Sequence, residues 1–160
     1  MTAQPKGTIV SITYTPAHIT KKTRDHFARV TMQQARLISN YGIEGDRKAG
    51  HPKRQLNIIS AESAASLKAE GFKTRPGELG EQLVISWVDV DSLAVGTQIQ
   101  IGPFARVEVT EMREPCDRFE FIQQKHLSIA EGRIGVLAKV VACGMIHIGD
   151  AVYVVEPAHA

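Results

Sequence analysis

Cysteine is scarce in this chain: Cys116 and Cys143 are the two in 160 residues. Two isolated cysteines make neither a disulfide framework nor a Cys-rich zinc site. Such usage fits a reducing cytoplasm. Aromatic residues reach only 6%, and none interleaves with a basic run. That argues against a small barrel stacking single-stranded nucleic acid. The net charge of +2 is too mild to imply a nucleic-acid or membrane partner on charge alone. No apolar run approaches the roughly 18 residues of a membrane span, and no leader-like segment opens the chain. The rest is ordinary. Hydrophobic residues are 43% and charged residues 22%, enough for the core of one domain over residues 1–160.

Short alternating runs punctuated by glycine dominate. Residues 8–13, 29–32 and 55–59 read as strands. Residues 97–101 alternate, turn at Gly102-Pro103 and return as 104–110, a hairpin pattern. Residues 136–142 and 151–155 suggest a similar pair around Gly149-Asp150. One helix is clear. Ser60 can cap it, residues 61–70 are rich in helix formers, and Gly71 stops it. Residues 119–130 suggest a second short helix. Residues 95–101 and 148–154 echo one another as apolar-Gly-polar-x-branched-x-branched, a pattern shared by any tight turn into a strand. The expected fold is mainly β, a closed or strongly curved barrel with one or two short helices.

Cys116 follows Pro115, with Arg113 before it and Arg118 after it. A thiol acts as nucleophile or metal ligand only as the thiolate, and guanidinium groups favour that form. Proline cannot donate to a sheet ladder, so the chain should leave its strand here and display the cysteine. Glu111, Glu114 and Asp117 oppose the arginines. Taken alone, the segment also fits a small buried hydrophobe. On the preceding strand one face reads Ala105, Val107, Val109, then Glu111 and Arg113. An apolar face turns charged just before the cysteine. That suits a strand entering a polar mouth, or a plain Glu111–Arg113 ion pair. Cys143 ends an apolar run and reads as core.

Residues 42–54 form a glycine-rich loop carrying Asp46, Arg47, Lys48, His51, Lys53 and Arg54. Amides freed by glycine plus basic side chains suit an anion, phosphate above all. The loop lacks the Gly-Lys-Ser/Thr ending of a Walker loop and is no dinucleotide fingerprint. It reads equally as a solvated basic loop. Residues 75–83 add Glu78, Glu81 and Gln82, paired acids whose geometry nothing local sets.

Together these segments resemble the MOSC domain, the molybdenum-cofactor sulfurase C-terminal module, in its small stand-alone form. Gly42-Ile43-Glu44-Gly45-Asp46-Arg47 matches the family's Gly-x-x-Gly-Asp-Arg loop. Pro76-Gly77 with Gly80-Glu81-Gln82-Leu83 matches its Pro-Gly…Gly-Glu-Asn-Leu stretch. Arg113-Glu114-Pro115-Cys116 matches Arg-x-Pro-Cys, and residues 144–152 match Gly-x-Ile-x-x-Gly-Asp-x-Val. The matches occur in family order. Lys48 stands where histidine is common, and Gln82 where asparagine is common.

The resemblance implies a barrel-like fold with Cys116 in a groove. It implies binding of the pyranopterin molybdenum cofactor, with Cys116 as metal ligand or as a persulfide sulfur carrier. Some members reduce N-hydroxylated compounds. The cofactor-binding set would be Asp46, Arg47, Lys48, His51, Arg54, Glu81, Gln82, Arg113 and Arg118. Arg47 and Cys116 should share one groove, with Glu81 or Gln82 on its rim. Pyridoxal phosphate is not expected here, so a sulfur-donating desulfurase would act in trans. No flavin, haem or iron–sulfur motif is present, so an electron donor would also be a separate protein. The alternative is a non-catalytic module that binds or delivers an anionic ligand, with Cys116 structural.

Overall fold

A computed structural model describes residues 5–21 and 23–155. Its centre is a closed barrel. In chain order the strands are β1 (Gly7–Tyr14), β2 (Val30–Met32), β3 (Gln34–Ile38), β4 (Gly42–Ile43), β5 (Leu56–Ser60) and β6 (Leu83–Ser86). They continue as β7 (Gln98–Ile101), β8 (Ala105–Met112), β9 (Val136–Ala142), β10 (Gly144–His147) and β11 (Ala151–Val155). The main sheet runs β11-β7-β8-β9-β5-β6-β1-β2, and β11 also pairs with β1. That contact closes a ring of seven strands and leaves β2 hanging from β1. A second sheet, β10-β3-β4, lies beside it.

Alternation along the strands builds two apolar layers. Ile58, Leu83, Ile85, Ile99, Val107 and Val152 belong to one cluster. The next residues along, Ile59 and Val84, belong to another, with Leu67, Phe72, Leu79 and Phe119. Two short helices supply much of this outer layer. In α1 (Ala61–Ala69) Ser60 caps the start by accepting from Ser63 N at 3.0 Å, and Leu67 is the residue it buries. Such a cap contributes about 1 kcal/mol. Gly71 follows with φ +91°, as the sequence suggested. α2 (Asp117–Gln123) packs through Phe119 and Ile122.

Two expectations are corrected, and the second short helix is present but ends early. Residues 136–142 and 151–155 do not pair: β9 lies between β8 and β5, while β11 lies between β7 and β1. The turn at Gly149-Asp150 instead joins β10 to β11, because the 144–147 run forms a strand of its own against β3. The second helix breaks. Gln124 takes a left-handed φ of 55°, and the chain resumes as a 3-10 turn at Leu127–Ala130. Cys143 is exposed between β9 and β10, where its Sγ accepts from Ser39 N at 3.2 Å. The echoed segments do meet. β7 and β11 are antiparallel neighbours, with Val152 opposite Ile101 and Val154 opposite Ile99.

Candidate binding groove at Cys116

β8 carries its apolar face through Ala105, Val107 and Val109 into the barrel. A register shift against β9 follows between Val109 and Glu111. This bulge re-aims the strand end, a common device at barrel rims. Arg113 N still bonds Gly135 O at 3.1 Å. Pro115 then has no N–H to continue the ladder. Cys116 takes an extended conformation as the N-cap of α2 and is exposed. The thiol therefore sits where a strand stops and a helix starts, at the barrel mouth.

A groove of about 860 Å³ opens there. Cys116, Arg113 and Arg118 line it, together with Lys48, His51 and Arg54 from the glycine-rich loop. Segments distant in sequence thus meet because β8 and the loop before β5 end at the same rim. His51 Nδ1 accepts from Lys53 N at 3.1 Å and Arg54 N at 3.2 Å, so in the neutral ring the proton lies on Nε2. Arg54 Nε donates to Glu111 Oε1 at 2.8 Å. That pair replaces the Glu111–Arg113 pairing the sequence allowed, because the bulge turns Glu111 towards the loop.

Three expected ligand residues, Asp46, Glu81 and Gln82, are hydrogen-bonded within the fold. Asp46 is 3% exposed. Its Oδ1 accepts from Thr15 N at 3.1 Å and Lys48 N at 3.2 Å, and its Oδ2 from Gln82 Nε2 at 3.2 Å. Glu81 is 2% exposed and lies off the groove rim. Its two oxygens accept from Gly77 N at 2.9 Å and Leu79 N at 3.2 Å, closing the turn before β6. Burial raises its carboxyl pKa, and the amides of Gly77 and of Glu81 itself, with Arg29 and Arg113, partly offset the rise. Gln82 reaches the groove, but as floor: its Oε1 accepts from Asn57 N at 2.7 Å. Arg47 lines a smaller adjoining pocket, where Nη1 donates to Ile19 O at 3.1 Å.

The sequence reading missed Phe27, Arg29 and Asn57, all on the groove wall. Arg29 was read only as the start of a strand. Nothing local marks it; the 15–29 connection must fold across the mouth to bring it in. Arg118 anchors that connection through Nη2, which donates to Thr23 O at 3.0 Å and His26 O at 3.3 Å. Its guanidinium also stacks on Phe27, 4.7 Å from the ring centroid.

The electrostatics are unusual for a folded interior. Arg113 is only 9% exposed, yet its Nη1 makes no hydrogen bond. The same holds for Nε and Nη1 of Arg29 and Nε of Arg118. Burial foremost, then neighbouring Arg29, pushes the Arg113 pKa down to about 10, against the pull of Glu81 and Cys116. Burial likewise lowers Arg29, with Asp46 and Glu81 opposing. A buried donor without a partner costs about 1–3 kcal/mol, more when charged. Such groups become favourable when an anion supplies the missing acceptors.

Comparison with known proteins fits this architecture. The chain resembles the YUAD protein from Bacillus subtilis, at 20% identity and TM-score 0.66 over 96% of each chain. It resembles YiiM from Escherichia coli equally, at 20% identity and TM-score 0.66, covering 96% of this chain and 72% of that one. YiiM from Geobacillus stearothermophilus matches at 19% identity and TM-score 0.65, covering 97% and 76%. At such identities the likeness establishes the fold. Among curated proteins none matches. The sequence pattern of the MOSC domain matches residues 45–153, about two thirds of the 160. With the barrel, the motif order and the thiol-bearing mouth, this match settles the family: the chain belongs to the MOSC domain family.

Proposed function

We propose that the groove binds the pyranopterin molybdenum cofactor and that Cys116 is the protein's ligand to its metal. The observation that carries this reading is the set of buried, unpartnered guanidinium nitrogens beside an exposed thiol. The donors suit the anionic oxygens of the cofactor, and the thiolate suits a soft metal. Among the described residues no cluster of three His, Cys, Asp or Glu side chains could hold a bare ion. A metal at Cys116 would therefore bring most of its ligands with it. A groove of about 860 Å³ lies within the range that encloses a multi-ring ligand.

When bound, the cofactor would supply the redox-active metal. The chain's own part is to hold and orient it. Arg113 and Arg118 would meet its anionic groups, His51 would offer an Nε2 donor, and Gln82 and Asn57 would form a rigid floor. Asn57 Nδ2 is already committed to Gly80 O at 2.9 Å, so its unpartnered Oδ1 remains as an acceptor for a ligand N–H. Reduction of an N-hydroxylated compound would draw electrons from a separate protein. In a sulfur-carrier role Cys116 would instead hold a persulfide loaded by a desulfurase in trans.

Protein purified from a molybdenum-replete host should carry molybdenum in near-stoichiometric amount. Cys116→Ser should lose it while keeping its melting temperature, because an exposed serine fits the site and a hydroxyl is a poor soft-metal ligand. Molybdenum-free wild-type protein with no persulfide on Cys116 would favour the non-catalytic anion-binding module.

A further inference from the structure

Cys116 has no partner thiol within its own chain. Arg113 N bonds Gly135 O, just before β9, and Cys143 follows the other end of that strand. The ends of a seven-residue strand lie about 20 Å apart. A disulfide needs Cα atoms within about 7 Å. Cys143 also sits outside the groove, its Sγ engaged by Ser39 N at 3.2 Å. A disulfide at the exposed Cys116 therefore takes its second sulfur from another molecule.

The groove decides which kind of molecule that is. Its lining holds five cations, Arg29, Lys48, Arg54, Arg113 and Arg118, against two acids, Glu111 and Glu114. Glu111 is already engaged by Arg54. Arg113 is 9% exposed, and its Nη1 has no partner. Nε and Nη1 of Arg29 and Nε of Arg118 are in the same state. The thiol thus shares its groove with desolvated guanidinium donors that lack acceptors. A carboxylate matches a guanidinium in charge and in planar shape. The groove, at about 860 Å³, has room for a small peptide-like group beside the sulfur. Phe27 and Leu137 add apolar wall for its stem.

We propose that Cys116 is a mixed-disulfide site for a low-molecular-weight thiol bearing carboxylates, with Arg113 and Arg118 as the groups that select it. The sulfur of Cys116 attacks one sulfur of the corresponding small disulfide. A new S–S bond forms, the old one breaks, and the second thiolate leaves. Cys116 is oxidised, the departing thiol is the reduced product, and excess free thiol reverses the step. Selection is by charge. Disulfides of different charge meet the same sulfur, so its own protonation cancels from the comparison. If Cys116 is the metal ligand proposed above, the adduct occupies the sulfur that the metal needs, and the site becomes a redox lock. The site itself does not rest on that reading.

The test uses the full chain purified from a molybdenum-depleted host. Oxidised glutathione is the anionic disulfide, hydroxyethyl disulfide the neutral one and cystamine the cationic one. Adduct formation is followed by mass spectrometry at matched ionic strength. Each rate is divided by that of the urea-unfolded chain, which removes intrinsic differences between the probes. Oxidised glutathione should add one glutathione unit at Cys116 before Cys143. Its normalised rate should exceed that of cystamine at least about fivefold, with the neutral probe between. The ratio should fall at 1 M salt. Arg113→Met and Arg118→Gln should each reduce it at least about twofold in protein that still melts cooperatively. Lys68→Gln makes a like change of charge outside the groove and should leave it unaltered. Equal or faster reaction of cystamine, first modification at Cys143, or a ratio unmoved in both arginine variants would overturn the proposal. No metal enters these measurements. Their failure leaves the molybdenum reading standing, and a molybdenum-free protein leaves this proposal standing.

Discussion

The guanidinium of Arg113 occupies the space that a side chain on Gly80 would need. A Cβ at Gly80 would lie 2.7 Å from Arg113 Nη2 and 3.0 Å from the Phe27 ring. Gly80 also holds φ +84°, a conformation that costs other residues roughly 1–2 kcal/mol. Gly80→Ala should therefore lower stability by about that amount in denaturant unfolding. It should also push Arg113 away from its place beside Cys116 and slow alkylation of the thiol. Unchanged alkylation kinetics would show that Gly80 serves the turn alone.

Arg113 itself is held at a cost. Its pKa falls to about 10, so the cation is harder to keep in the fold than in the unfolded chain. For a depressed base, the penalty is complete below about pH 10 and disappears as pH rises to the ordinary arginine range. At neutral pH it is on the order of 3 kcal/mol. Arg113→Met should leave the protein as stable as wild type or more so, as replacement of buried charge by apolar volume often does. Its ligand binding should be lost. A melting temperature well below wild type would mean that Arg113 stabilises the fold directly.

Both cysteines are exposed, so exposure does not separate their reactivity. Charge does. Arg113 and Arg118 are each electrostatically coupled to Cys116. Brief treatment with iodoacetamide near neutral pH, followed by mass spectrometry, should label Cys116 first. The preference should narrow at 1 M salt, where screening acts within about 3 Å. Preferential labelling of Cys143 would remove the case for an activated thiol at the groove.

Glu111 neutralises part of the groove by holding Arg54 at 2.8 Å. Both side chains are well exposed, so the pair should contribute less than about 1 kcal/mol to stability. Glu111→Gln should leave the melting temperature nearly unchanged. Affinity for an anionic groove ligand should rise severalfold, because Arg54 is released and one opposing charge is removed. A fall in affinity would indicate that Glu111 positions Arg54 rather than restraining it.

The barrel was legible because strand alternation and turn glycines are local signals. β1, β5, β7, β8 and α1 lie close to where those signals put them. β4 and β10 were missed as short strands, and β6, Leu83-Val84-Ile85-Ser86, because it is buried on both faces; β3 alternates, with Ala35 and Leu37 buried, and was passed over despite that signal. At the site, Cys116, Lys48, His51, Arg54, Arg113 and Arg118 were picked from their segments and share one groove. Asp46 and Glu81 lie off the groove lining and accept from backbone amides, a use that in sequence looks the same as an acid facing a ligand. Arg29 was overlooked because only the path of the 15–29 connection, held by Arg118, delivers it.

The ring closes through a short contact between its first and last strands, Gly7 opposite Val152 and Thr8 opposite Ala151. β11 fills the gap between β7 and β1. During synthesis, then, the barrel cannot be completed until residues 151–155 have left the ribosome. Until that moment β7 and the Gly7–Thr8 end of β1 are open edges, each able to recruit a strand from another nascent chain. The final strand works as a clasp, and the speed with which it engages should govern how much newly made protein escapes aggregation.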